Sequence, residues 1–394
     1  MFLMSQANKF ERRDGLENSK LHSSFLTLVC LGIGHRAKVL SDVVNWPEIQ
    51  ALADSQGLAA VVLDGIEKLP ESKRPPQELL FQWIGGTLND YEYRYKGYKK
   101  TIAELAGFYN SHGYKMMVLK GYACSLNWPK PEHRPCGDID IWMFGEQKKA
   151  DDLVAREMDI KVEDSHHHHT TFQWNDFVVE NHYDFLNIYH HKSNVELEGI
   201  LKALGAFEVE NLEFRSQRQL NRCSDRGCKI SSVEVNGETV YLPSPNLHAL
   251  FLLRHSMSHF ASTGMKLRPL LDWAFFVKKY GSEVDWVWLD DILEKFGMKP
   301  MFQLFNAICV EDLGFESDLF PEVQFSPFLK DRVINDILSR EFSEKEKGGF
   351  VSRALYKYRR WRANEWKHKL CFSESMSCAF WSGVKNHLLK PSSI

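Results

Sequence analysis

MMVLKGYACSLNWPKPEHRPCGDIDIWM, residues 116–143, opens on four apolar side chains, Met116 to Leu119, bounded by Lys120-Gly121. Such a run is too short for a helix and reads as a buried strand. A glycine leaving a strand permits a tight reversal and bares backbone N–H groups, so a short turn of helix is expected next. A proline-rich link, Pro129 to Pro135, then leads into Gly137-Asp138-Ile139-Asp140-Ile141-Trp142. In a strand this alternation sends Asp138 and Asp140 to one face and Ile139 and Ile141 to the other. Two carboxylates aimed the same way repel each other unless a cation lies between them, and that asks for a hard divalent metal. A bare Asp-x-Asp is also what a solvated strand edge displays, and taken alone the pair favours that plainer reading.

Outward from this stretch the chain divides by pattern. Before it, apolar residues recur at helical spacing from Ser23 to about Leu69 and again from Glu78 to His112, across a linker at Pro70–Pro76. Residues 1–20 are polar. After the Asp138 strand, Gly145 to Met158 reads as a helix, followed by His166–Trp174 and by Phe177–Phe185, whose alternation is that of a half-buried strand. Asn236-Gly237 within residues 229–242 marks a hairpin with a tight turn. From Pro245 onward the period is helical again, with Gly264, Gly281, Gly297 and Gly314 where helices should stop. The expectation is an α+β fold: a helical region over residues 1–112, a mixed-sheet core over 113–245 and a helical domain over 246–394.

The 394 residues suffice for two or three domains, and 44% hydrophobic with 26% charged residues describes an ordinary globular chain. A net charge of −3 gives no global attraction to nucleic acid or membrane. The eight cysteines form no Cys-x-x-Cys pair and read as reduced thiols. No basic-then-apolar leader is evident, and the most apolar early run, Phe25 to Ile33, is about half a bilayer's span. A cytoplasmic chain is expected. Phosphate-loop, dinucleotide-fingerprint and Gly-x-Ser-x-Gly patterns are all absent, which disfavours P-loop enzymes, dinucleotide oxidoreductases and common serine hydrolases.

Glu180, about forty residues after Asp140, supplies a third carboxylate if the two strands are neighbours. Converging carboxylates can hold two Mg²⁺ ions that clamp the oxygens of a phosphoryl transfer. The order of features matters more than any one of them: a strand, Lys120-Gly121, a turn, Arg134, Gly137-Asp138-Ile139-Asp140-Ile141, then Val179-Glu180-Asn181-His182. Together they resemble the nucleotidyltransferase superfamily, and within it an uncharacterised bacterial branch with Leu-Lys-Gly, a proline-rich link with Arg, and Asp-Ile-Asp. His255 and Leu267-Arg268-Pro-Leu-Leu-Asp272 are similar to a helical region of that branch.

The resemblance implies transfer of a nucleoside monophosphate from a nucleoside triphosphate to an acceptor hydroxyl, with release of pyrophosphate. It makes Asp138, Asp140 and Glu180 the metal-binding and catalytic carboxylates, with Mg²⁺ (two ions) or Mn²⁺ as cofactor. Gly121 would open the helix that receives phosphates, Lys120 and Arg134 would add charge there, and His182, His255, Arg268 and Asp272 would face the substrate. One departure stands out: most members have Gly-Ser where this chain has Gly121-Tyr122, and Ser125 is the next serine. A non-catalytic nucleotide- or metal-binding protein that retains the fold is therefore the alternative. The acceptor is left open.

Three further features compete for attention. His166–His169 places imidazoles at i and i+2, a pattern that chelates transition metals, as in a metal-dependent hydrolase; an exposed polar strand or loop beside the active site, contacting substrate, is the preferred reading. His255 and His259 share a helix face, and Arg268 with Asp272 reads as an ion pair. Arg353 to Lys369 interleaves basic and aromatic residues, which suits an anionic partner but is more often a surface helix with a buried aromatic stripe.

Overall fold

The computed structural model describes residues 18–36, 39–41, 43–164, 167–189, 191–206, 225–321, 324–342 and 350–377. The polar N-terminal stretch through residue 17, His166, Cys223 and Cys378 lie outside them. The architecture is α+β. A six-stranded mixed sheet, in the order β3-β4-β2-β1-β6-β5, stands among helices. Its strands are β1 (Met117–Val118), β2 (Ile139–Trp142), β3 (His169–Trp174), β4 (Phe177–His182), β5 (Ser231–Val235) and β6 (Glu238–Leu242). Strand β2 runs parallel to β4 and antiparallel to β1, and β1 runs parallel to β6.

The period-2 pattern of residues 116–143 sorts side chains between two cores, as the pleat requires. Met116, Val118, Ile139 and Ile141 pack with Tyr98, Ile102, Leu153 and Val154, on helices Arg94–Ser111 and Gln147–Met158. Met117, Leu119 and Trp142 face the opposite way. There they join a second core shared by the N-terminal helices (Phe25, Val62) and the C-terminal helices (Phe251, Phe305). Helix Arg94–Ser111, the end of the helical stretch before the sheet, is thus part of the sheet's own packing. Among the described residues no helix is long and apolar enough to cross a membrane.

Three local expectations change. The long helix expected from Glu78 to His112 runs as Gln77–Gly86 and Arg94–Ser111, joined with helical backbone angles through a wider π turn at Thr87–Tyr93. The strand expected to run through Phe185 ends at His182, because the N–H groups of Tyr183 and Asp184 both donate to the His168 carbonyl at 3.1 Å. That bend turns Phe185 onto Trp142, with ring centroids 4.4 Å apart. Gly281 does not close its helix in the left-handed region, whereas Gly264, Gly297 and Gly314 have φ between 67° and 88°. At the Asn236-Gly237 hairpin both residues have positive φ, the conformation a two-residue turn between twisted strands demands.

Candidate active site

Parallel pairing aligns Asp140 with Glu180 and Trp142 with His182, so these side chains share one face of the sheet. Asp138 precedes β2 on the same parity and keeps solvent-accessible surface, with its carboxyl in hydrogen-bonding reach of Glu180. The three carboxylates expected to converge are brought together. Lys120, one residue beyond Leu119, whose N–H donates to the Asp140 carbonyl, reaches over to Asp140: Nζ to Oδ1 is 2.7 Å. His182 stands on the other side, with Nε2 3.1 Å from Asp140 Oδ1 and 3.7 Å from Glu180 Oε2. His169, on β3 opposite His182, lies 3.7 Å from Glu180 Oε1.

The electrostatics divide the carboxylates. Crowding out of water and then the charges of Asp140 and Glu180 push the Asp138 carboxyl up to about 6. Burial opposes charge on Asp140 as well, but Lys120 and His182 overcome it and hold that carboxyl well below its ordinary range. Glu180 is also lowered: burial raises it, and His182, Lys120 and His169 outweigh that. Lys120 and His182 are raised in turn, since burial is outweighed by Asp140. Among the described residues, the one ammonium in contact with these three carboxylates is that of Lys120, with His182 as a further hydrogen-bond partner, so acceptors outnumber the cations that touch them.

A hard divalent cation fits that donor set. Such ions take carboxylate oxygens, and three carboxylates meet here on one face, where the charges of Asp140 and Glu180 add to the burial that raises Asp138. Asp138, Asp140 and Glu180 would hold it.

The remaining residues are placed as follows. His255, on helix Pro245–Ser262, looks into the site; burial, then Lys120 and His259, hold it well below its usual value. Its ring lies 4.5 Å from that of His259. Arg268 feels the charges of Arg134 and Asp272 first and of Asp138 after them, and its buried Nε has no hydrogen-bond partner. Arg134 does not join the phosphate pocket expected of it. It is 5% exposed and grips Asp272 through Nε (2.7 Å to Oδ1) and Nη2 (2.9 Å to Oδ2). Trp128 Nε1 completes that cluster at 2.9 Å from Asp272 Oδ1. Asp272 is therefore paired with Arg134, not with Arg268 as their spacing on one helix implies, and its carboxylate is committed to protein donors.

Gly121 lies in a six-residue helix, Lys120–Ser125, and is itself non-helical there. It permits a close approach: any β-carbon at this position would overlap the Tyr98 hydroxyl, which donates to the Asp138 carbonyl at 2.9 Å. Tyr98 is a site-supporting residue that the sequence did not single out; it lies in an ordinary amphipathic helix, and only the fold brings it here. Ser125 does not stand in for the missing serine. It is 1% exposed and turned inward, donating to the Tyr122 carbonyl (2.7 Å) and meeting Tyr95 Oη (3.1 Å). Of the histidine run, the described residues are not an exposed polar strand: His169 is buried, and His167 and His168 are half-buried. On helix Phe350–Ala363, Arg353, Lys357, Arg359 and Arg362 are exposed, whereas Lys367 in the next helix is buried on Asp336 at 2.6 Å.

Residues 42–314 match the family model described as uncharacterised nucleotidyltransferase. Comparison with curated proteins finds no match. Among solved structures, an antigenic nucleotidyltransferase-like protein from Paracoccidioides brasiliensis is similar over 50% of this chain and 87% of its own length. Identity is 14% and the TM-score 0.29, a likeness too loose to carry an argument.

Proposed function

Starting from the fact that this chain belongs to the uncharacterised nucleotidyltransferase family, as the match over residues 42–314 establishes, we propose that it moves a nucleoside monophosphate from a nucleoside triphosphate to an acceptor hydroxyl. The acceptor oxygen forms a bond to the α-phosphorus, the bond to the β-phosphate oxygen breaks, and pyrophosphate leaves with that electron pair. Glu180, kept ionised by His182 and Lys120, takes the acceptor's proton. Asp138 and Asp140, with Glu180, would hold Mg²⁺, which when bound supplies charge neutralisation at the transferred phosphoryl group. Lys120 contributes fixed positive charge beside the carboxylates, where negative phosphate oxygens would lie, and Arg268 adds charge at longer range.

The observation that supports this reading is the meeting of Asp138, Asp140 and Glu180 from two adjacent parallel strands with Lys120 among them. Its test is pyrophosphate release with each of the four common nucleoside triphosphates over a panel of acceptors (sugars, aminoglycoside-type compounds, proteins, RNA), for the wild type and Asp140→Asn. Release by the wild type and none by the variant is the expected result; equal release by both would end the proposal. The inward-turned Ser125 favours a second reading, a protein that binds the nucleotide without transferring it. Calorimetric binding of nucleotide with no release for any acceptor would select that reading. The exposed basic residues Arg353, Lys357, Arg359 and Arg362 we assign to an anionic partner or acceptor.

A further inference from the structure

We infer that His168, His169 and His182 form a second, nitrogen-rich metal site, built for a transition-metal dication of the Zn²⁺ or Co²⁺ type and standing beside the carboxylates. It stands on its own geometry and holds whether or not nucleotidyl transfer occurs. One ligand nitrogen from each of the three imidazoles lies within 4.8 Å of the others. Around a bound metal at about 2.1 Å, neighbouring nitrogens stand about 3.4 Å apart, a closure within reach of side-chain rotation. The ring centroids confirm the convergence: 4.4 Å for His168–His169, 5.1 Å for His169–His182 and 5.4 Å for His168–His182.

The surroundings are those of a ligating histidine. His182 Nδ1 lies 3.1 Å from the Asp184 carbonyl, which can only accept, so Nδ1–H stays held there when a metal displaces the proton by which Nε2 donates to Asp140. That leaves Nε2 directed into the site, toward Asp140 and Glu180. Fixing one ring nitrogen on a backbone carbonyl so that the other presents its lone pair is the usual support of a metal-bound imidazole. The same bend that ends β4 anchors the partner: the His168 carbonyl accepts from both Tyr183 and Asp184. Glu180, 3.7 Å from His169 Nε2, offers an oxygen as fourth donor. Three imidazoles with one carboxylate suit a borderline metal and are a poor set for Mg²⁺, which seeks oxygen. His182 also belongs to the Asp140–Glu180 group, so the two ligand sets adjoin at His182 and Glu180.

The test is Co²⁺ titration of the full chain, freed of metal by dialysis, with visible absorption as the readout and Zn²⁺ competition as a check. One equivalent is expected to bind with the intense bands of low-coordinate cobalt, to be expelled by Zn²⁺ and to withstand millimolar-range Mg²⁺. His168→Gln and His169→Gln should each weaken binding about 10- to 100-fold. His168 is half-buried, so His168→Gln is the variant that should fold without difficulty; melting curves verify this for both. Asp138→Asn, which removes a carboxylate outside the histidine set, should bind Co²⁺ as the wild type does even though it releases no pyrophosphate. The inference is overturned if the wild type takes up no Co²⁺ or Zn²⁺, if Mg²⁺ displaces the cobalt as readily as Zn²⁺ does, or if His168→Gln binds with undiminished affinity.

Discussion

Asp140 and Asp272 are both buried carboxylates that meet cations, and they are built for opposite ends. Asp272 receives a bidentate guanidinium from Arg134 and an indole N–H from Trp128, so each oxygen is matched by protein donors. That cluster ties the 116–143 stretch to helix Arg268–Tyr280 and has nothing left to offer a ligand. Asp140 shares one lysine and one histidine with Glu180 and Asp138, and acceptors outnumber the cations that touch them. Burial of a charge does not separate a binding site from a fastening. The local sum of charges does.

The largest expected effect comes from upsetting that sum. On the proposed function, Asp138→Asn should lower turnover by at least about 10³-fold, because the proposed cation would lose a ligand. It should also raise the melting temperature, because a carboxylate crowded by two others is removed. Arg134→Met should do the reverse in the other cluster. It leaves Asp272 buried without its partner, a loss of about 3–5 kcal/mol in stability. Urea denaturation and pyrophosphate release, measured on the same samples, check both variants. A drop in stability for Asp138→Asn like that of Arg134→Met would mean that both clusters are merely structural.

A smaller effect is expected at the support between them. Gly121→Ala should displace the Tyr98 hydroxyl and with it the Asp138 backbone, so activity should fall by about tenfold or more, as for a group displaced by an ångström. Tyr98→Phe, which removes the overlapping oxygen, should partly restore Gly121→Ala, whereas independent effects would multiply. A double variant that is simply the product of the two singles would show that the contact does not position Asp138.

The strands of this site were legible in residues 116–143 because a period of two is a strong signal and the acid–aliphatic alternation names its faces. Val179-Glu180-Asn181-His182 was legible for the same reason, as was the Asn236-Gly237 hairpin. What could not be read was partner choice. Arg268 and Asp272 lie four apart on one helix, and sequence favours their pairing. The fold delivers Arg134 from 138 residues away with better bidentate geometry. The burial of His169 was equally hidden. It follows from β3 pairing with β4 and from the bend after His182, both long-range facts. Tyr98 had no signature at all, since an inward tyrosine on an amphipathic helix is ordinarily only core.

Asp64 sharpens the comparison from between the two extremes. Its carboxylate meets Lys130 Nζ at 2.5 Å and His133 Nδ1 at 2.7 Å, and His133 Nε2 faces Glu92 at 3.5 Å. Burial works against charge on Asp64, but His133 and Lys130 hold it below 3.8; burial likewise works against charge on His133, and Asp64 raises it above 6.5. The depressed acid contributes stability above 3.8, and that is lost as pH falls through its lower folded value. The raised histidine contributes stability that is complete below 6.5 and is lost as pH rises through its higher folded value. The contact is therefore strongest between those limits. Melting of the wild type and of His133→Gln should differ more at about pH 5.5 than at about pH 8.5. A gap that stays constant across that range would mean that His133 holds Asp64 as a neutral hydrogen-bond donor, which would place Asp64 with the fully matched Asp272 and leave the carboxylates around Asp140 as the outlier.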